Sequence, residues 1–303
     1  MKILLASSEV FPFSKTGGLA DMVGALARAL AQAGQEAWVV TPLYRGIRKK
    51  FPAMRKVDWH FNLPMGRSWM QAELWELDLE RGLKIYFIDH PGFFDRAGIY
   101  FEDNISYADN AERYILFSKC VVHLARYLPW RPDVVHVHDW QAGLVPALIL
   151  QQKNEGWGNA PSTCLTIHNL AYQGVFPAEA FALTNLPGYF FTTESAEFFG
   201  LLNCLKAGIA YADFITTVSP RYAREITTEE FGCGLDGMLR RRQKNLIGIL
   251  NGVDYAEWNT TKNPHLFKPY SAGRLAGKKN NKLELQKLVG LPADESIPLF
   301  GTI

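Results

Sequence analysis

Residues 2–41, KILLASSEVFPFSKTGGLADMVGALARALAQAGQEAWVVT, decide the fold. Residues 2–7 form a short, largely apolar run, the mark of a strand buried on both faces of a parallel sheet. A loop with Pro12 and the pair Gly17-Gly18 follows. Leu19, Met22, Val23, Leu26, Leu30 and Ala33 then recur at helical spacing, and Gly34 stands where a helix end favours a left-handed residue. Residues 36–41, centred on Ala37-Trp38-Val39-Val40, read as a second strand. The chain therefore opens on a β-α-β unit.

Outward from this unit, residues 57–62, 69–79 and 83–89 alternate loosely, with Glu80-Arg81-Gly82 as a hairpin turn between the last two. A long helix is predicted over 108–128, its face Tyr114, Phe117, Val121, Leu124 and Leu128, stopped by Pro129. Alternation then becomes regular: strand 134–137, helix 142–152, strand 164–167, helix 201–211, strand 214–218 and strand 246–250. Ser219-Pro220 forms a helix start, serine as cap and proline at the first helical position. Strands alternating with helices predict an α/β protein with a doubly wound parallel sheet. Residues 254–272 lack a periodic pattern and read as a linker, 278–288 as a charged amphipathic helix, and 297–303 as the start of a further apolar strand. A domain is not expected to end on such an unpaired edge, so the chain is expected to stop inside a second α/β domain.

Composition narrows the function classes. Thirty-two Lys+Arg against thirty Asp+Glu give a net charge of +2, which argues against nucleic acid as a partner. With 48% hydrophobic and 20% charged residues the chain is not disordered. Apolar stretches stay far below the ~18 residues of a membrane span, so no membrane partner is expected. Cys120, Cys164, Cys204 and Cys233 form no C-x-x-C, and the first residues lack a signal-peptide core. A cytoplasmic location is the expectation.

Ligands of such sheets sit beyond the carboxyl ends of strands. Four segments fall there. In Ser14-Lys15-Thr16-Gly17-Gly18-Leu19-Ala20-Asp21, small residues, a helix N-terminus and the Lys15 charge suit a phosphate or diphosphate; a helix capped by Thr16 with a solvated lysine is the alternative. In His136-Val137-His138-Asp139-Trp140, Asp139 suits a sugar hydroxyl or a developing positive charge and Trp140 a sugar face, or Asp139 caps a helix and the histidines pack in the sheet. His-x-His also fits a metal, but no third ligand lies at a suitable spacing. In Thr166-Ile167-His168-Asn169-Leu170-Ala171-Tyr172-Gln173-Gly174, His168 and Asn169 suit hydroxyls or phosphate, or are structural. Asn251-Gly252-Val253-Asp254 reads as a turn. The aromatic residues Tyr189-Phe190-Phe191 and Phe198-Phe199 fit buried core or a glucan path. D-x-D, G-x-S-x-G and H-E-x-x-H are absent, which weakens metal-clamp transferase, hydrolase and zinc-protease readings.

Taken in order, these segments resemble the bacterial glycogen synthases and plant starch synthases that use ADP-glucose. The resemblance runs the length of the chain, through Ser8-Glu9-Val10-Phe11-Pro12, the 15–21 loop, Arg131 to Trp140, 168–174, Leu205-Lys206-Ala207-Gly208, Val218-Ser219-Pro220 with Tyr222 to Ile226, and Leu250 to Asp254. It implies a two-domain GT-B glycosyltransferase: a Rossmann-like N-terminal domain over 1–253, a linker over 254–277, and the first helix and strand of a truncated nucleotide-sugar domain over 278–303. The implied reaction moves glucose from an ADP-glucose donor to the non-reducing end of an α-1,4-glucan acceptor with retention, without cofactor or metal. Lys15 and the Gly18 N–H would meet the donor diphosphate, with Asp21 and Glu9 near the donor. Asp139, His168 and Asn169 would address the transferred glucose, with Asn251 near the cleft and Tyr100 an acceptor contact. The family's later Ser-Arg-Leu segment, lysine and glutamate fall beyond Ile303, so the chain alone is expected to lack synthase activity. A UDP-glucose-dependent transferase and a non-catalytic glucan-binding or regulatory module are the alternatives. The sequence does not set the oligomeric state.

Overall fold

The computed structural model describes residues 1–80 and 82–302; the side chains of Ala256 and Glu257 are also outside the described set. Arg81 of the expected hairpin turn and Ile303 of the expected last strand therefore lie outside the described residues. The chain divides into two compact units, Met1–Asn251 and Gly252–Ile303.

The first unit is built on a sheet that has nine strands among the described residues. In chain order these are β1 (Lys2–Ala6), β2 (Glu36–Pro42), β3 (Arg55–Met65), β4 (Ser68–Glu80), β5 (Leu83–Asp89), β6 (Val134–His138), β7 (Ser162–Ile167), β8 (Phe214–Thr217) and β9 (Leu246–Gly248). Their spatial order is β9-β8-β7-β6-β1-β2-β5-β4-β3. From β9 to β5 every neighbour pair is parallel. As the expected hairpin requires, β4 pairs antiparallel with β5, and β3 also pairs antiparallel with β4. The two residues between Met65 and Ser68 are too few for a crossover, so they return the chain antiparallel. The loose alternation of 55–80 reflects this: the hairpin buries one face and leaves the other wet, whereas β1 buries Leu4 to Ala6 completely.

Strand β1 lies between β2 and β6, and the chain leaves it in opposite directions along the sheet. The carboxyl ends of β1 and β6 thus flank a topological switch point, the crevice where open α/β sheets take their ligands. Helix α1 (Gly18–Gln32) follows β1 and buries Ala20, Val23, Gly24 and Ala27. Helix α2 (Asn110–Tyr127) is buried along most of its length, including Tyr114, Phe117, Val121 and Leu124.

Two expected helices start later than predicted. The helix predicted over 142–152 is a single 3-10 turn, Trp140–Ala142, followed by α3 (Val145–Asn154). The helix predicted over 201–211 starts at Cys204: Leu201–Asn203 is a strand paired with Val175–Phe176 and Glu197–Phe198. Asn203 then caps α4 (Cys204–Tyr211) by accepting the Lys206 N–H at 2.9 Å. Gly143 and Gly208 let this helix meet the 3-10 turn: a Cβ on Gly143 would lie 2.5 Å from the Cys204 carbonyl oxygen, and one on Gly208 2.8 Å from that of Gly143. Ser219 and Pro220 open α5 (Pro220–Glu225) as expected, Ser219 Oγ accepting the Tyr222 N–H at 2.9 Å.

In the second unit, the predicted helix is α6 (Ala276–Leu288). The Asn281 side chain clasps the backbone of Lys268, accepting its N–H at 3.0 Å and donating to its carbonyl at 2.7 Å. Residues 255–258 add a short helix to the expected linker. Residues 297–302 form no strand among the described residues. An apolar run becomes a strand only where a neighbour offers the hydrogen-bond ladder, and none is supplied there.

Candidate active site

The site is assembled from the carboxyl ends of β1, β6 and β7. After β1 the chain turns inward through Ser7, Ser8 and Glu9, all buried. The Glu9 carboxylate, 3% exposed, collects four donors. One oxygen accepts the Thr16 hydroxyl and the Tyr100 hydroxyl, each at 2.7 Å. The other accepts the backbone N–H groups of Thr16 and of Gly17, the latter at 3.3 Å. Helix α1 has Gly17 as its cap and no side-chain capping bond of its own. Glu9, just after β1, therefore does what a cap residue normally does, and Thr16, the alternative reading's cap, binds Glu9 instead. Tyr100, read from the resemblance as an acceptor contact, spends its hydroxyl on Glu9 and on Ser8 Oγ at 2.7 Å. It is a prop for the glycine loop.

Above this knot the loop is open. Lys15 and Asp21 form an ion pair at 2.8 Å, their side chains 47% and 40% exposed. Such a half-solvated pair is worth at most about 1 kcal/mol, so a multiply charged anion can take Lys15 from it. A Cβ placed on Gly17 or Gly18 would meet nothing within 4 Å, and neither residue has a left-handed φ. Gly17 is a tolerated cap. Gly18, the first residue of α1, is required neither by packing nor by backbone conformation and costs the helix up to about 1 kcal/mol relative to alanine.

Asp139 directly follows β6 with φ 55° and ψ −168°, a backbone region that is close to glycine-only. Its carboxylate accepts the His168 N–H at 2.7 Å, joining the end of β6 to that of β7. Burial pushes the carboxyl up to about 7; the N–H groups of His168 and Asn169 pull it down, and the Glu9 charge raises it. Asp139 is thus no helix cap, since the following 3-10 turn receives no side-chain bond from it. Asn169 is exposed and accepts the Ala171 N–H at 3.0 Å, which shapes the loop beyond His168. Asn251 is exposed at the end of the first unit, beyond β9.

Three histidines line the junction. His136 Nε2 bonds Thr166 Oγ1 at 2.6 Å, and His138 Nδ1 bonds His168 Nε2 at 3.1 Å. His138 Nε2 is buried with no hydrogen-bond partner among the described residues. Burial lowers His136 and His168 to about 4 and His138 well below its ordinary value. Their proton balance predicts the acid response of the fold. As pH falls from 6.5 towards 4, the unfolded chain protonates these histidines first, so their contribution to stability, complete above 6.5, is lost. Asp139, raised above its ordinary 3.8, works oppositely and gains stability as pH falls below 7. Three histidines against one carboxyl leave a net loss of about 2 kcal/mol per pH unit at its steepest. Urea unfolding at pH 7 and pH 5 should show a lower midpoint at pH 5, with a smaller drop in His136→Gln; an equal drop in the variant would contradict this assignment.

Sequence reasoning missed Ser8, the tie of Glu9 to Thr16 and Tyr100, and the role of Tyr222. The last accepts the Leu170 N–H at 3.1 Å and steadies the loop after His168. A polar run directly after a buried strand was the available signal for the first of these. The exposed Phe199 sits in a hairpin turn, while Phe190 is core. Among the described residues no three His, Cys, Asp or Glu side chains converge in a metal-binding group, and no helix is long and apolar enough to cross a membrane.

A family model described as the starch synthase catalytic domain matches residues 2–241. The chain belongs to that family. It is 42% identical over 305 residues to a glycogen synthase of Opitutus terrae, covering 100% of this chain and 64% of that one. It is also 42% identical over 312 residues to glycogen synthase 2 of Geobacter sulfurreducens, covering 100% of this chain and 63% of that one. Among solved structures, the catalytic domain of starch synthase IV from Arabidopsis thaliana, bound to ADP and acarbose, superposes with TM-score 0.83 at 31% identity. That match covers 97% of this chain and 60% of the other. This starch synthase family member thus spans less than two thirds of the length of these relatives.

Proposed function

We propose that the chain is the acceptor-side half of a retaining glucosyltransferase that moves glucose from ADP-glucose to the non-reducing end of an α-1,4-glucan. In this reading the donor diphosphate lies over Gly17 and Gly18, held by Lys15 and by the N-terminus of α1. Asp21 is the ion that releases Lys15. The transferred glucose lies between Asp139, His168 and Asn169, and Glu9 with Tyr100 fixes the loop beneath. A second α/β domain, in the length the relatives have beyond this chain, completes the donor site, and Asn251 lies towards it. The protein works in the cytoplasm.

One observation carries the reading: Gly18 opens α1 beside Lys15 with open space where a side chain would be, and nothing within the protein requires that space. A negatively charged bridge of a nucleotide sugar does. The relatives named glycogen synthase, and a structural neighbour that holds ADP, support the same assignment.

The test is incorporation of labelled glucose into glycogen by the chain joined to the remaining length found in its relatives. Incorporation from ADP-glucose, with little from UDP-glucose, is expected, and none from residues 1–303 alone. No incorporation from either donor would overturn the reading, and a preference for UDP-glucose would overturn the donor.

A further inference from the structure

The unpartnered nitrogen of His138 carries information about its neighbour. His138 is fully buried, and its two ring nitrogens have different surroundings: Nδ1 lies 3.1 Å from His168 Nε2, and Nε2 has no partner among the described residues. Burial keeps both rings neutral near pH 7, so each carries one N–H. The bond between them needs one hydrogen, and only two arrangements supply it. If His168 Nε2–H donates to His138 Nδ1, the His138 hydrogen sits on Nε2, a donor sealed from water without an acceptor. If His138 Nδ1–H donates to His168 Nε2, His138 Nε2 is a bare acceptor. A stranded N–H is the rarer and costlier defect in a folded interior.

The second arrangement fixes His168 as well. Its Nε2 accepts, so its hydrogen is on Nδ1, the remaining polar atom of a half-buried ring, which has no hydrogen-bond partner among the described residues. Its backbone is tied separately, the N–H donating to Asp139 at 2.7 Å. His138 is itself held, since it ends β6 in register with Thr166 of β7 and its ring lies 4.4 Å from that of His136. Two strands thus settle both where the His168 ring sits and which of its nitrogens donates.

We propose that His138 is a positioning residue: its Nδ1–H holds His168 in the Nδ1–H tautomer, so that His168 presents a hydrogen-bond donor to the sugar or phosphate oxygen in the strand-end crevice. This rests on the proposed transfer reaction for its purpose but not for its geometry. A fixed donor aimed at an oxygen whose charge grows during transfer stabilises the transition state without reorganising. A His168 free to exchange tautomers would present a bare acceptor part of the time.

The test reads the tautomer directly. In the chain labelled with 15N at histidine, long-range 15N–1H correlation near pH 7.5 should show His168 with a protonated Nδ1 and a bare Nε2. His138→Phe should lose that pattern, and His138→Asn, whose side-chain amide can donate from a similar place, should restore it. In the enzyme containing the chain, His138→Phe should lower kcat about tenfold with donor KM little changed, and His138→Asn should recover most of it. A wild-type His168 protonated on Nε2 overturns the proposal, whatever the activity. The Nδ1–H tautomer with turnover indifferent to both substitutions overturns the positioning role. Absence of transfer by the wild-type enzyme would instead count against the proposed reaction and leave the tautomer result standing.

Discussion

Asp139→Asn, placed in the enzyme that contains this chain, is expected to lower kcat by about a hundredfold to ten-thousandfold while leaving the fold intact. Asp139 combines three features rarely found together in a residue that only supports structure. Its backbone is strained at φ 55° and ψ −168°, which costs about 1–3 kcal/mol. Its carboxyl is buried without a cationic partner and pushed up to about 7. It also ties β6 to β7 through the His168 N–H. Asparagine is isosteric, meets the same backbone strain as aspartate and keeps an acceptor for that N–H, but it lacks the charge. Because burial opposes that charge, removing it should leave urea stability at pH 7.5 within about 1 kcal/mol of wild type. Loss of turnover with the midpoint retained is the expected pattern. A kcat within threefold of wild type would remove Asp139 from the reaction.

Lys15→Ala is expected to act on the donor instead. The Lys15–Asp21 pair is half-solvated, so breaking it costs the fold little. A charge-assisted contact to a diphosphate is worth about 1.5–3 kcal/mol, so kcat/KM for ADP-glucose should fall about ten- to a hundredfold, with the acceptor KM unchanged. Raising ionic strength should narrow the difference between variant and wild type, because the contact is screened. Equal effects on donor and acceptor, or none on either, would contradict the placement of the diphosphate.

Much of this was legible in residues 2–41, because a strand buried on both faces, a helix of period 3.6 and a second strand are each written in apolar spacing. The sheet edge was less legible. In 55–80 one face of the hairpin is wet and Trp69 is exposed, so alternation there competes with surface exceptions. The start of α4 was misplaced because Leu201 and Leu202 suit a strand and a helix equally; the pairing of Leu202 with Phe176 and the Asn203 cap decide it, and both are tertiary facts.

At the site, strand-end positions made Lys15, Asp139 and His168 candidates and the family resemblance gave them roles, but hydrogen-bond partners did not follow from spacing. Nothing in the sequence pairs Glu9 with Tyr100, 91 residues away, or aims His138 at His168. The fold brings the ends of β1, β6 and β7 together, and polar groups sealed there must find partners among whatever arrives.

In the proposed reaction, the opening over Gly17 and Gly18 receives the donor's diphosphate. Titrating ADP into the 15N-labelled chain while following backbone amides tests it most directly, even for weak binding. The amides of Gly17, Gly18 and Leu19 are predicted to shift together with ADP concentration, and to stop responding in Lys15→Ala. Saturable shifts elsewhere in the chain, with these three amides unmoved, would contradict it.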